Sequence, residues 1–400
     1  MHSVAYLLCE LKSRDLDSRA LIAAYLLKSG IPVVVGQKWG IWANKLTSPR
    51  GCYLFATANS IQGADMVEVR DAGHMVIASD EEALPLVDSI ANVAPNAVEA
   101  CDKFLVDTEA HKSILVARYG HAAEKFIVSG SPRLEAIRTT EFEPIGGSPY
   151  ILFNTSFALI NSVWGDLRTA LTTFLSGSDF GEEDARLWLE AERAAYDLVV
   201  PLVGYFCTRY RVVMRPHPAE RAQTWRDTFP DVEVVEGTLS LPWISSSKVM
   251  VHANSTTGLE AALMRVPAIN LNPIPAYGDR YVLKEINKTV STAQDAINAL
   301  ESILEDQRGS QLEKSSMDAL FPPDGAKSTA RSIVSELGDT QKLSGDFPWR
   351  PLAHRTDTQK SKFTVSREEF QASLDRAMAT VGTTPCQIRT LDDSVFLAVP

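Results

Sequence analysis

Two short apolar runs in the second half of the chain end in the same abrupt way. Val212–Met214 stops at Arg215-Pro216-His217-Pro218, and Val249–Val251 stops at His252-Ala253-Asn254-Ser255-Thr256-Thr257-Gly258, where a helical pattern begins at once. Continuous apolar runs bounded by polar turns are the mark of strands buried on both faces. In an open α/β sheet, ligands sit outside the carboxyl ends of such strands. The stretch Arg211–Asn270 therefore predicts a parallel sheet in which two strand ends share one site.

The rest of the chain repeats the alternation. Val4–Cys9, Ile31–Gly36, Cys52–Ala56, His74–Ser79, Phe104–Asp107 and Lys125–Ser129 read as strands, separated by helical patterns. Short strands alternating with helices imply a mostly parallel sheet covered on both faces. This first domain, residues 1–140, is Rossmann-like but lacks a GxGxxG fingerprint after its first strand. Thr139–Pro149 is rich in Gly and Pro and reads as a linker. A second Rossmann-like domain, 150–340, follows, with strands at Tyr150–Asn154, Arg211–Met214, Val232–Val235, Val249–Val251 and Ala268–Leu271. From 341 to 400 the chain is an extension: polar at first, helical over Glu368–Val381, with a possible hairpin around Asp392-Asp393 that could pack back on the first domain. A length of 400 residues suits two domains.

Charge and cysteine content remove several function classes. A net charge of -11 with no basic stripe argues against nucleic-acid binding and against electrostatic docking on an anionic membrane, while leaving a lipid-linked acceptor open. The five cysteines are scattered and never in a CxxC spacing, which reads as buried free thiols in a reducing compartment. The apolar run at Val4–Cys9 is too short for a signal peptide or a membrane span. The expected location is the cytoplasm, with peripheral attachment at the inner membrane face as a further option. No metal site is expected, because the seven histidines are dispersed.

Chemistry concentrates at the strand ends. Pro216 and Pro218 stiffen the loop around His217, whose imidazole can donate to a phosphate, with Arg215 adding charge. A histidine capping a tight turn is the plainer alternative. Ser255, Thr256 and Thr257 stand where a helix starts, a position that caps free N–H groups or binds an anion. Gly258 is expected to allow close backbone approach, and His252 and Asn254 to supply two more donors. Glu260 accepts from a ribose hydroxyl or is a solvated glutamate. Asn154 and Ser156 follow the first strand of the second domain, near the expected phosphate site.

Strand–RPHP–strand–strand–HANSTTGLEA–strand resembles the nucleotide-binding domain of GT-B glycosyltransferases, and the His-Pro and Ser/Thr pairs resemble those of CMP-dependent sialyl- and Kdo-transferases. They are also similar to the CDP-dependent glycerophosphotransferases of teichoic acid synthesis. CELKSRDLDSRALIAAYLLKSGIPVVVG, IASDEEAL, VSGSPRLEAIR, ILFNTSFALIN and RPHP…TTGLEA, in that order, resemble the bacterial surface carbohydrate biosynthesis protein family over roughly residues 3–275. The resemblance implies a GT-B fold, two Rossmann-like domains facing a central cleft, and transfer of a sugar from a nucleotide donor to a growing surface polysaccharide or glycolipid. The implied donor is CMP-linked, such as a CMP-3-deoxy-ulosonic acid (Kdo), with no permanently bound cofactor and a saccharide or lipid-linked glycan acceptor.

The first domain must then provide acid–base chemistry. Glu10, at the end of an apolar strand, is the preferred base, with Asp80, Glu81 and Glu82 as rivals that are equally an acidic first helical turn. Lys12, Arg14 and Arg133 are expected to hold donor or acceptor charges. Asp15 or Asp17 could cap the first helix, and Trp39 and Trp42, in a flexible loop around Gly40, could stack on a sugar. A UDP-sugar 2-epimerase, a CDP-polyol phosphotransferase and a non-catalytic module of a polysaccharide assembly complex remain the alternatives.

Overall fold

The computed structural model describes residues 4–81, 93–142, 144–145, 147, 149–175, 182–237, 240–278, 286–305, 321–337 and 347–400, with the side chains of 174 and 175 left aside. The chain folds into two compact units. One takes its described residues from Met1–Ala83, Asn92–Thr140 and Asp318–Pro400, the other from Glu141–Met317. Both are built on parallel sheets covered by helices, the α/β architecture expected for a GT-B chain.

The first unit holds strands β1 (Val4–Cys9), β2 (Val33–Gln37), β3 (Gly51–Phe55), β4 (Met75–Ser79), β5 (Lys103–Val106) and β6 (Phe126–Val128). They lie in the order 2-1-3-4-5-6, all parallel. β1 is buried at every position, as its unbroken apolar sequence requires. Helix Lys12–Lys28 lies against this sheet, contributing Ala20–Ala24, Leu26 and Leu27 to the core.

The C-terminal segment completes this unit. Strands β13 (Gln387–Asp392) and β14 (Val395–Val399) form a hairpin, and β14 pairs antiparallel with β2, extending the sheet to eight strands. Gly36 makes that pairing possible: a Cβ there would stand 2.2 Å from the Ser394 carbonyl oxygen. Helix Arg367–Val381 runs along helix Lys12–Lys28. Lys12 pairs with Glu369 at 2.6 Å, Asp17 accepts from Ser373 and Arg376, and Lys28 donates to the Val381 carbonyl. Phe370 stacks on Phe396 with centroids 4.6 Å apart.

The second unit carries β7 (Tyr150–Asn154), β8 (Val212–Arg215), β9 (Glu233–Val234), β10 (Ser247–His252), β11 (Ala268–Leu271) and β12 (Lys288–Val290). The order is 12-11-10-7-8-9, parallel throughout. Read from β9 this is the doubly wound order 3-2-1-4-5-6, so the chain reverses direction across the sheet between β7 and β10.

Several local expectations shift. Helices Leu167–Leu175 and Glu182–Phe206 follow β7 in the chain. The loop expected to be flexible around Gly40 is a helix, Lys38–Ala43, because Gln37 Oε1 accepts from the Gly40 N–H at 2.9 Å and caps it. The stretch expected to be irregular after 344 contains helix Asp357–Lys362, opened by a capping box from Thr356 to Gln359. All five cysteines are free; Cys9, Cys52 and Cys101 are buried. Among the described residues no helix is long and apolar enough to cross a membrane.

Candidate functional site

In the second unit, the strand register aligns a polar row across the carboxyl ends. Arg215 on β8 is level with Asn154 on β7, Asn154 with His252 on β10, and His252 with Asn270 on β11. Residues level in a parallel sheet point to one face. The row spans the reversal between β7 and β10, where the crevice of a doubly wound sheet lies.

Hydrogen bonds run through this row in one direction. Arg215 Nη1 donates to Asn154 Oδ1 at 3.1 Å, and guanidinium donates only, so the Asn154 amide orientation follows. Its Nδ2 donates to Thr257 Oγ1 at 3.0 Å, and the Thr257 hydroxyl donates to Ser255 Oγ at 2.9 Å. Ser255 Oγ accepts a second bond, from the Thr257 N–H at 3.3 Å. With both lone pairs used, the Ser255 hydrogen can only donate elsewhere. Burial depresses the affinity of Arg215 for its proton, opposed by the charge of buried Glu260, which also accepts from Ser240 Oγ at 3.3 Å.

The RPHP loop is held by a residue that sequence reading passed over. Glu220 is buried and accepts from the His217 N–H at 2.9 Å, from Thr155 Oγ1 at 2.9 and 3.0 Å, and from Trp225 Nε1 at 3.1 Å. His217 Nδ1 accepts from the Ala219 N–H at 3.1 Å, so the proton of the neutral ring lies on Nε2. The packing around that ring, and then the Arg215 charge, lower its pKa and favour this neutral form. His217 is exposed as a residue, with a fixed tautomer, and its Nε2 has no hydrogen-bond partner among the described residues.

Other expected donors are already occupied. His252 is buried, its Nδ1 accepts from the Ser255 N–H and its Nε2 meets Asn287 Oδ1 at 3.2 Å; burial lowers its pKa to about 4. It shapes the loop rather than facing a ligand. Asn254, at φ +48°, exchanges two hydrogen bonds with Asn270. Gly258 has a different role from the one expected: a Cβ there would lie 2.4 Å from His252 Nε2 and 2.5 Å from Asn287 Oδ1. The glycine makes room for the buried histidine. Thr256 remains exposed and Ser156 half-buried.

The first unit gathers a buried polar cluster at the ends of β1, β4 and β5. Arg19 and Glu81 form an ion pair at 2.8 Å with side chains 0% and 2% exposed. Arg19 Nη2, Glu81 Oε2 and Asp107 Oδ2 are buried and have no hydrogen-bond partner among the described residues. Asp107, just after β5, is pushed well above the ordinary carboxylate value by burial, then by the charges of Glu81 and Asp80, with Arg133 opposing. Its signal in the sequence was the same as that of Glu10, a carboxylate closing an apolar strand, and it went unweighed. Glu82 lies outside the described residues.

Glu10 is held in ion pairs. Lys38 reaches it at 2.6 Å and Lys362 at 2.8 Å; burial raises its pKa, but these two cations outweigh burial and bring it below the usual value. That is a poor proton acceptor. Asp15, fully buried, accepts from the N–H groups of Glu10 and Leu11 and pairs with Arg14, stitching the turn after β1 rather than capping the helix from outside. Lys12 is in its ion pair with Glu369. Trp42 has Lys45 Nζ over its ring at 3.5 Å, which covers that face. Among the described residues no cluster of His, Cys, Asp or Glu could hold a metal ion.

No family model and no curated relative matches the chain. Solved structures do. A UDP-GlcNAc 2-epimerase from Methanocaldococcus jannaschii is similar over 83% of this chain and 99% of its own, at 12% identity and a TM-score of 0.53. A Listeria monocytogenes structure named as a UDP-N-acetylglucosamine 2-epimerase is similar over 84% of this chain and 96% of its own, at 12% identity and a TM-score of 0.50. At these identities the likeness establishes the fold, two Rossmann-like units of the GT-B type.

Proposed function

We propose that the chain is an enzyme acting on a nucleotide-activated sugar, and that it transfers the sugar to a growing bacterial surface polysaccharide or glycolipid. The observation that carries this reading is the directed hydrogen-bond chain ending at Ser255, with the neutral donor of His217 two strands away at the end of β8. β8 and β10 flank β7, so the two strand ends stand about 10 Å apart, a span suited to a nucleotide phosphate. Loss of the sugar leaves negative charge on that phosphate, and preorganised donors stabilise charge where it develops. Ser255, Thr256 and His217 are the proposed contacts, with Arg215 supplying the charge behind them.

The proposed donor is a CMP-linked 3-deoxy-ulosonic acid such as Kdo, on the resemblance of the His-Pro and Ser/Thr motifs. Proton transfer is assigned to Asp107, whose burial favours a carboxyl that holds its proton and can give it up, with Asp80 and Glu81 as the neighbouring carboxylates. Glu10 is reassigned to holding the turn after β1 against Lys38 and Lys362. A thermal-shift series with CMP, CDP, UDP and GDP tests the base preference, since a ligand of the native state raises its melting temperature. His217→Ala should weaken the preferred nucleotide about tenfold; unchanged affinity by calorimetry removes His217 from the site.

A UDP-sugar 2-epimerase is the second reading, favoured by the two solved structures similar over most of this chain. It needs no acceptor. NMR of UDP-HexNAc incubated with the protein alone separates the two, because an epimer forms only under this second reading.

A further inference from the structure

At the opposite edge of the first unit from the strand carboxyl ends, helix Lys12–Lys28 and helix Gly325–Leu337 part to leave a groove of about 390 Å³. Its floor is mainly apolar, from Tyr25, Ala330 and Val334, with the hydroxyls of Ser29 and Ser335 beside them. Its rim is cationic: Lys28, Lys327 and Arg331. Residues 327, 330, 331 and 334 follow one another at helical spacing, so one face of the second helix supplies both floor and rim.

Among the described residues no carboxylate lines this groove, in a chain with 50 acidic and 39 basic residues. The carboxylates nearby are engaged elsewhere. Glu135 accepts from Tyr25 Oη at 3.1 Å and from the Ala326 N–H at 2.6 Å, and Glu336 pairs with Lys103 at 2.5 Å. Lys327 reaches Asp324 only at 3.9 Å. Lys28 Nζ donates to the Val381 carbonyl at 2.7 Å and keeps two further N–H donors, and Arg331 has no hydrogen bond or ion pair among the described residues. Three cations around an apolar surface, of which only Lys327 has a carboxylate partner among the described residues, favour an anion carried on an apolar body. The volume falls within the range of small-molecule sites.

We infer that this groove binds an organic phosphate bearing a hydrocarbon chain, with the phosphate between Lys28, Lys327 and Arg331 and the chain along Tyr25, Ala330 and Val334. The overall charge of -11 repels anions in general, so binding depends on this local cluster. The groove shares no residue with the polar cluster at the strand ends of the first unit and does not depend on the nucleotide reading.

Calorimetry on the full chain with octyl phosphate, inorganic phosphate and octyl glucoside tests it. Octyl phosphate should bind at least about tenfold more tightly than either half alone. R331E, which changes an exposed side chain with no hydrogen bond or ion pair among the described residues, should lower that affinity about tenfold or more at an unchanged melting temperature. Equal binding of inorganic phosphate, equal binding of octyl glucoside, or an unaffected variant each overturns the inference. Phosphatidylcholine vesicles with and without phosphatidic acid then distinguish the source. Flotation that requires phosphatidic acid and is lost in the variant identifies a lipid headgroup; octyl phosphate binding without flotation identifies a soluble ester.

Discussion

Asn154 donates from Nδ2 to Thr257 Oγ1 across 3.0 Å, joining the end of β7 to the loop that follows β10. The bond crosses the reversal point of the second sheet, and it decides which hydroxyl at this loop is left to donate. Asn154→Ala breaks it, frees Thr257 to turn, and removes one acceptor of Arg215. Nucleotide affinity should fall by about 1–2 kcal/mol, as for a hydrogen bond in a partly charged network. Thr257→Ser keeps the hydroxyl and should bind like the parent, whereas Thr257→Val should match Asn154→Ala. Calorimetry reads all three, and equal affinity for Thr257→Val and Thr257→Ser overturns the role of the chain.

Glu220 holds the RPHP loop from beneath, accepting from a backbone N–H, a hydroxyl and an indole. Glu220→Gln replaces one acceptor oxygen with an NH₂ group that faces a donor. An unsatisfied buried polar group costs about 1–3 kcal/mol. Urea unfolding should show that loss, and nucleotide binding should weaken with it, because His217 is no longer held in place.

Glu192 gives the second unit a pH dependence. Its Oε2 accepts from Leu159 and Ile160 N–H groups, while Oε1 is buried with no hydrogen-bond partner among the described residues. Burial raises its pKa from 4.5 to about 8. A carboxyl that binds its proton more tightly when folded makes the folded state most favourable at low pH. That advantage declines as pH rises from about 4.5 to about 8, at up to about 1.4 kcal/mol per unit. Melting temperatures should show this decline, and Glu192→Gln should flatten it.

Asp107 separates catalysis from stability. Because burial favours its neutral form, Asp107→Asn is close to isosteric and should leave the melting temperature at pH 7 the same or higher. Turnover should drop by two orders of magnitude or more, in the range of a lost general acid or base. Full activity in this variant would return the assignment to Asp80 and Glu81.

Gly258→Ala tests packing directly. Its Cβ would press on His252 Nε2 and Asn287 Oδ1, both buried, so a loss of about 1–3 kcal/mol is expected without any ligand present. A destabilisation seen only through weaker nucleotide binding would mean that the glycine serves the ligand instead.

The strands of the second unit, and the polar residues that close them, were legible in sequence. A strand buried on both faces must be apolar along its whole length, so its end is announced by the first polar residue, as at Met214–Arg215 and Val251–His252. That information is local. What the polar residues do at those ends is not. His252 and Ser255 look alike as donors in sequence, yet Asn287 and the Ser255 N–H occupy both nitrogens of the first, while Thr257 fills the lone pairs of the second. Glu10 and Asp107 both close apolar strands, and distant Lys362 separates their proton affinities. Gly36 reads as a strand terminus, and its need for a hydrogen side chain comes from Ser394, at the other end of the chain. Secondary structure follows from which side chains must leave water; donor availability, proton affinity and close approach follow from neighbours brought together only by folding.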